Sequence, residues 1–436
     1  MSIVRAVAVL VVALTSGVIP AAAQTPRPER PYRGLFGGGV GNAEQLLTIG
    51  GSLGGGYDDS IPVDPLEGID SGQRFEGGWY TQAAAGLKYS LEREKIAFGA
   101  SVATLGRYYP ADLREIVGTH SASVGVVGQV ARHTQVQLSQ VVARQPYFVL
   151  SLFPVLFDPG VGQVTGPSFD FGTRREHYFS YTTSATVLQT LSQRTSVRAG
   201  YRYSGTEFSS SANRFVAQMG DVGFSMGLKK GLALRLGYGL IEGRYASRVW
   251  RSQTIDAGVD FNKALSVSRR TTLAFSTGTA AVSDGERTAY RLTGGARLIR
   301  EIGRTWNAAL AYDRSVGFWE TLQEPIFADR VTAGVNGLIT RRVEFRSSVG
   351  ASNGDVGFVG AQRGFSSQFA MASIGTAITR RLEFGVQYAF YRHLFDSASA
   401  LPVGFPLDLD RQTVRAYITV WQPLFFRARR PPDATR

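Results

Sequence analysis

From about residue 45 onward, apolar and polar residues alternate almost without interruption, and short basic turns separate the alternating stretches. In LALRLGYGL, Leu232, Leu234, Leu236, Tyr238 and Leu240 fall on one face of a strand. Ala233, Arg235, Gly237 and Gly239 fall on the other. Side chains of a strand alternate between faces, so this ribbon has one apolar face and one polar, partly charged face. A chain built this way throughout is expected to close into an antiparallel up-and-down barrel, with lipid outside and water inside.

The spacing of the turns sets the strand count. Basic turns fall near Arg93, Arg132, Arg194, Lys230, Arg269, Arg304, Arg341 and Arg380, at intervals of 35–39 residues apart from a 62-residue interval after Arg132. The long interval holds the segment 152–174, so it is one hairpin with a large insertion. TRRVEF at 340–345 returns as TRRLEF at 379–384. Eight turns with both termini on one side imply about 18 strands between residues 45 and 426, an all-β transmembrane barrel. A β-propeller has a similar repeat length but fits four short strands into each blade. Each unit here has two strands of ten or more residues, the length that crosses a bilayer.

Residues 1–23 read as a signal peptide: Arg5, an apolar stretch from Ala6 to Ile19, then Ala21, Ala22 and Ala23 before the expected cut. The expected destination is the cell outer membrane. The Pro- and Arg-rich residues 24–44 read as a periplasmic tail, and residues 427–436 as a basic C-terminal tail. The longer connections, among them 57–73 and 396–410, would lie outside the cell. There is no cysteine, which removes disulfides, thiolate metal sites and thiol nucleophiles. Net charge is +13 and arginine dominates it. The basic residues are spread through strands with no nucleic-acid-binding motif, so no nucleic-acid partner is expected.

Putting the apolar phase outward places a set of charges in the lumen. The expected pore-lining residues are Arg198, Arg202, Arg235, Arg291, Arg297, Arg346 and Arg415, with Asp221, Asp256, Asp260, Asp313, Glu344 and Glu383. Excess arginine would favour anions over cations. Mutual neutralisation across neighbouring strands would merely keep the interior wet. Asp221, Asp256 and Asp260 fall on earlier strands than Arg291, Arg297, Arg346 and Arg415, which suggests walls of opposite sign. The 152–174 loop carries Phe153, Phe157, Phe169 and Phe171, available either as an aromatic constriction or as a self-packed surface loop. Asp58, Asp59, Asp64, Glu67 and Asp70 read as a solvated acidic loop. Trp79, Tyr80, Tyr108, Tyr109, Trp250 and Trp319 lie next to long loops, and Trp306 and Trp421 near the opposite ends. That placement reads as two interfacial girdles. His120, His133, His177 and His393 show no metal-ligand spacing and no nucleophile motif stands in the chain, so no catalytic residue, metal or cofactor is expected.

The signal peptide, the turns TRRVEF and TRRLEF, and the closing strand RQTVRAYITVWQPLFF resemble outer-membrane β-barrel porins of exopolysaccharide gene clusters. The resemblance spans the mature chain and is mostly architectural. It implies a channel surrounded by outer-membrane lipid that helps a polysaccharide, or another anionic or polyhydroxylated solute, to pass, with periplasmic export partners. Two other readings stay open: a general diffusion porin for small solutes, and a non-transporting barrel whose loops bind a partner.

Overall fold

The computed structural model describes residues 34–37, 43–63, 74–110, 116–149, 171–208, 214–229, 231–245, 248–265, 268–283, 288–318, 325–357, 364–396 and 407–428. Residues 1–23, Asp64, Glu67, Asp70, Phe153, Phe157, Phe169 and Trp319 lie outside them.

Eighteen strands form one sheet. The first six are β1 (Ala43–Val63), β2 (Arg74–Glu92), β3 (Ile96–Tyr108), β4 (Ile116–Ala131), β5 (Thr134–Val149) and β6 (Phe171–Thr190). Next come β7 (Thr195–Phe208), β8 (Arg214–Lys229), β9 (Leu232–Tyr245), β10 (Arg248–Leu265), β11 (Ser268–Ser283) and β12 (Thr288–Ile302). The last six are β13 (Trp306–Phe318), β14 (Pro325–Leu338), β15 (Val343–Val356), β16 (Gly364–Ala377), β17 (Leu382–Phe395) and β18 (Asp408–Ala428). Each strand pairs antiparallel with its sequence neighbours, and β1 pairs with β18 as well as with β2. The sheet is a closed transmembrane barrel with no free edge, the only way a β-structure satisfies its backbone groups in lipid.

The tight turns at one end are built from their sequences. Thr340 Oγ1 accepts from the N–H groups of Arg342 (3.2 Å) and Val343 (3.1 Å), and Thr379 Oγ1 from that of Arg381 (3.1 Å). A hydroxyl that caps its own turn in this way fixes the chain reversal, which is why TRR recurs. The same end carries residues 34–37, whose Leu35 and Gly37 N–H groups donate to the carbonyls of Arg341 (2.8 Å) and Arg380 (2.9 Å), equivalent positions of the two repeats. At the other end the connections are longer. The two ends are called the turn side and the loop side below.

Alternation separates the two faces in every strand. Leu53, Val102, Val222, Leu236, Leu292 and Ile418 stand outward and exposed, which in a membrane means in contact with hydrocarbon. Facing inward at the loop-side half, Asp58, Tyr80, Thr206, Trp250, Ser352 and His393 are each at most 5% exposed. Towards the turn side the inner wall opens: Lys88 is exposed, and Ser139, Arg198 and Arg297 are half-buried. Among the described residues, inner-wall side chains are more exposed towards the turn side than towards the loops.

Two expectations are corrected. The acidic segment beginning at Asp58 is not a solvated loop at its start, because β1 runs on to Val63 and turns Asp58 into the wall, where it is fully buried. The girdle is also only half of what position along the chain suggests. Trp79 and Tyr108 face outward, but Tyr80, Tyr109, Trp250 and Trp421 are buried. Trp250 shares the inward phase of Asp256 and stacks on Phe215 at 6.1 Å, and Trp421 shares the phase of Arg415.

Candidate functional site

All thirteen charged residues picked out from the sequence share the inward phase of their strands, but the structure sorts them into unequal groups. On β7–β10, Arg198 grips Asp221 through Nε (3.2 Å) and Nη2 (2.6 Å). Arg235 bridges Asp256 (2.5 Å) and Asp260 (2.6 Å). With Arg202, this wall has three cations and three anions. Further round, Arg330 of β14 pairs with Asp313 of β13 (3.5 Å), and Arg346 forks onto Glu344 at 2.9 Å through two nitrogens. Glu383 lies over Gly375, the cross-strand neighbour of Glu344. Arg291 sits 4.9 Å from the Phe327 ring, where the tip of β14 reaches the inner wall above the last β12–β13 hydrogen-bonded pair, Gly294 and Arg314. The walls of opposite sign expected from strand order are therefore absent. Cross-strand register puts each of Asp221, Asp256 and Asp260 within reach of an arginine on the adjoining strand, and local pairing cancels the field.

The unbalanced region is the wall formed by β17, β18, β1, β2 and β3. Gln387, Arg415, Gly56 and Tyr80 form one row in register across four strands. Gly56 makes the row work: a Cβ there would stand 2.8 Å from Tyr80 Oη, so only a bare backbone admits the ring. Gly54 is equally constrained, since its Cβ would fall 2.9 Å from Tyr417 Cβ. Arg415 Nε donates to Gln387 Oε1 at 2.6 Å, and its guanidinium lies 5.2 Å from the Tyr417 ring centre. It forms no ion pair with a described carboxylate. Arg107 of β3 donates to Gln82 Oε1 (3.3 Å) and covers Tyr80 at 4.8 Å. Arg411, 4% exposed, binds buried Asp58 through Nε (3.0 Å) and Nη2. Among the described residues, Arg107, Arg411 and the partly exposed Arg415 are set on this wall against two buried carboxylates, Asp58 and, nearer the turn side, Glu383.

Above them runs an aromatic ladder. Tyr391, His393 and Phe395 follow one another on β17 with edge-to-face contacts of 5.7 and 5.4 Å, and Phe365 stacks on Phe395 at 5.6 Å. Phe369, Tyr391 and Leu409 pack together beside it. The arrangement leaves one guanidinium of this wall partly exposed, that of Arg415, suited to carboxylate or phosphate, below a set of buried aromatic rings.

Arg107, Arg411, Asp58 and Tyr80 are absent from the sequence selection. Arg411 was within reach of it, four residues from Arg415 and hence on the same face, whereas Asp58 was hidden by the acidic run that follows it. Of the loop phenylalanines only Phe171 falls within the described backbone, in β6. The histidines are dispersed: His120 faces outward, His133 sits in a tight turn, and His393 is buried between Tyr391 and Phe395. Among the described residues no group of three or more His, Cys, Asp or Glu side chains could hold a metal ion.

No family model matches the chain, and no curated protein matches it. Solved structures with a similar overall shape include Pseudomonas aeruginosa OpdQ, 9% identical with a TM-score of 0.44 over 87% of this chain and 98% of that one. Pseudomonas aeruginosa OccK2 (OpdF), solved in complex with glucuronate, is 11% identical with a TM-score of 0.44 over 88% and 99%. The siderophore receptor PirA from Acinetobacter baumannii is 8% identical with a TM-score of 0.42 over 88% and 81%.

Proposed function

We propose that the protein is an outer-membrane channel that passes anionic, polyhydroxylated solutes, with acidic polysaccharide as the preferred cargo. The observation that carries this reading is the wall that sets Arg107, Arg411 and the partly exposed Arg415 against the buried carboxylates of Asp58 and Glu383. A cationic wall in a low-dielectric bore raises the local concentration of anions and lowers that of cations. Carboxylate groups of such a solute would meet the partly exposed Arg415, whose guanidinium is backed by the buried ring of Tyr417. Arginine suits this task because its charge persists at every relevant pH and its fork matches a carboxylate.

A second reading, a barrel that transports nothing, is favoured by the burial of the loop-side inner wall. Planar-bilayer recording of the purified protein separates the two. The channel reading expects resolved conductance steps, and block by an oligouronate at concentrations where a neutral maltooligosaccharide of equal length does not block. Absence of conductance would transfer the protein to the second reading. Conductance blocked equally by both sugars would leave a general diffusion porin.

A further inference from the structure

The exterior carries its own charges, at the loop-side edge of the apolar belt. A strand rising about 3.3 Å per residue and tilted by about 40° climbs about 25 Å in ten residues, the height of the apolar band of such barrels. At that height above the 132–133 turn, His120 of β4 and Arg144 of β5 stand opposite each other on the outward face. Thr104 of β3 is the other neighbour of His120, with Oγ1 2.9 Å from the imidazole Nδ1. Gly106 and Gly118 adjoin them. A Cβ on Gly118 would lie 3.3 Å from His120 Nε2, and one on Gly106 would lie 3.3 Å from Ile116 Cγ2. The missing side chains leave an outward groove of about 320 Å³ lined by these residues and Arg144.

Arg144 differs from the other outward arginines at this edge. Arg214 pairs with Glu207 (3.3 Å), Arg244 and Arg251 share Glu242 (2.7 and 3.0 Å), and Arg314 pairs with Asp329 (3.4 Å). Arg392 stands opposite Asp410. The cross-strand neighbours of Arg144 are His120 and Phe179, and it pairs with no described carboxylate. A permanently ionised guanidinium on the outside of a membrane barrel takes its counter-charge from what surrounds the barrel, and at headgroup level that is phosphate.

We propose that the groove of Thr104, His120 and Arg144 binds the phosphate headgroup of a membrane lipid in the leaflet around the loop-side rim. The guanidinium supplies parallel donors to two phosphate oxygens and the imidazole supplies a third. Val102 and Val124, exposed just below on β3 and β4, lie where the acyl chains descend. The site faces lipid and is independent of what crosses the bore.

Native mass spectrometry of the purified, delipidated protein tests it, with bisphosphorylated lipid A, its dephosphorylated form and inorganic phosphate as probes. The wild type is expected to retain lipid A and to release the dephosphorylated form. Arg144→Gln should weaken retention about tenfold, as loss of a charge-assisted pair does, and Arg144→Lys by about threefold. Arg251→Gln, at a paired position, should change nothing. Retention unaltered in both Arg144 variants would overturn the proposal. So would equal losses in Arg144→Gln and Arg251→Gln, which would signal diffuse attraction. Displacement of lipid A by inorganic phosphate at equal concentration would overturn it too, by making the groove a site for a soluble anion.

Discussion

Two stretches of the same inner wall use arginine in opposite ways. On β7–β10, Arg198 and Arg235 are matched by Asp221, Asp256 and Asp260 at 2.5–3.2 Å, and Arg202 brings the balance to three against three. On β17–β3, Arg411 binds Asp58, Arg415 rests on an amide and a phenol ring, and Glu383 is the other buried carboxylate beside the three arginines. The first wall spends its charge holding adjacent strands in register and keeping the interior polar. The second is richer in arginine, and Arg415 is the one of the three that is not buried. Residue type alone does not separate the two roles; the strand register does, because it decides which side chains meet.

The largest effect that probes this contrast belongs to the buried ion pair of Arg411 and Asp58. Asp58→Asn leaves Arg411 buried without its carboxylate, and breaking a buried pair on one side costs about 3–5 kcal/mol. Urea unfolding from lipid vesicles would show it as a lowered midpoint, and an unchanged midpoint would mean that Arg411 reaches solvent. On the paired wall, the Asp256→Asn and Asp260→Asn double variant should lose less, about 1–3 kcal/mol, because Arg235 and its partners are partly wet. The same variant should make the bore more anion-selective by converting the balanced wall into a second surplus. If its selectivity stays at the wild-type value, the β7–β10 charges lie off the conduction path. Arg415→Gln should be the mildest for stability, under about 1 kcal/mol, since glutamine can still bond to Gln387. A larger loss in the same unfolding assay would show that Arg415 holds the wall together.

How legible these walls were in the sequence follows from the same physics. Alternation is local, so Leu236 outward and Arg235 inward can be read from nine letters, and the spacing of the eight basic turns sets the strand count. The inward phase of Arg198, Arg235 and Arg415 came with them. Pairing was not legible, because it depends on registers such as Gly56 facing Arg415, which joins residues hundreds of positions apart. Asp58 reads as part of an acidic loop because Asp59, Asp64, Glu67 and Asp70 follow it. For Trp250 and Trp421 nearness to a strand end suggests an interface, but their phase, shared with Asp256 and Arg415, points them into the bore.

The most direct test is the reversal potential across a planar bilayer under a potassium chloride gradient, compared among the wild type, Arg107→Gln/Arg415→Gln and Arg198→Gln/Asp221→Asn. Anion selectivity is predicted for the wild type, a clear shift towards cations for the first double variant, and no shift for the second, which removes a balanced pair. A wild type that prefers cations, or equal shifts in both variants, would contradict the account.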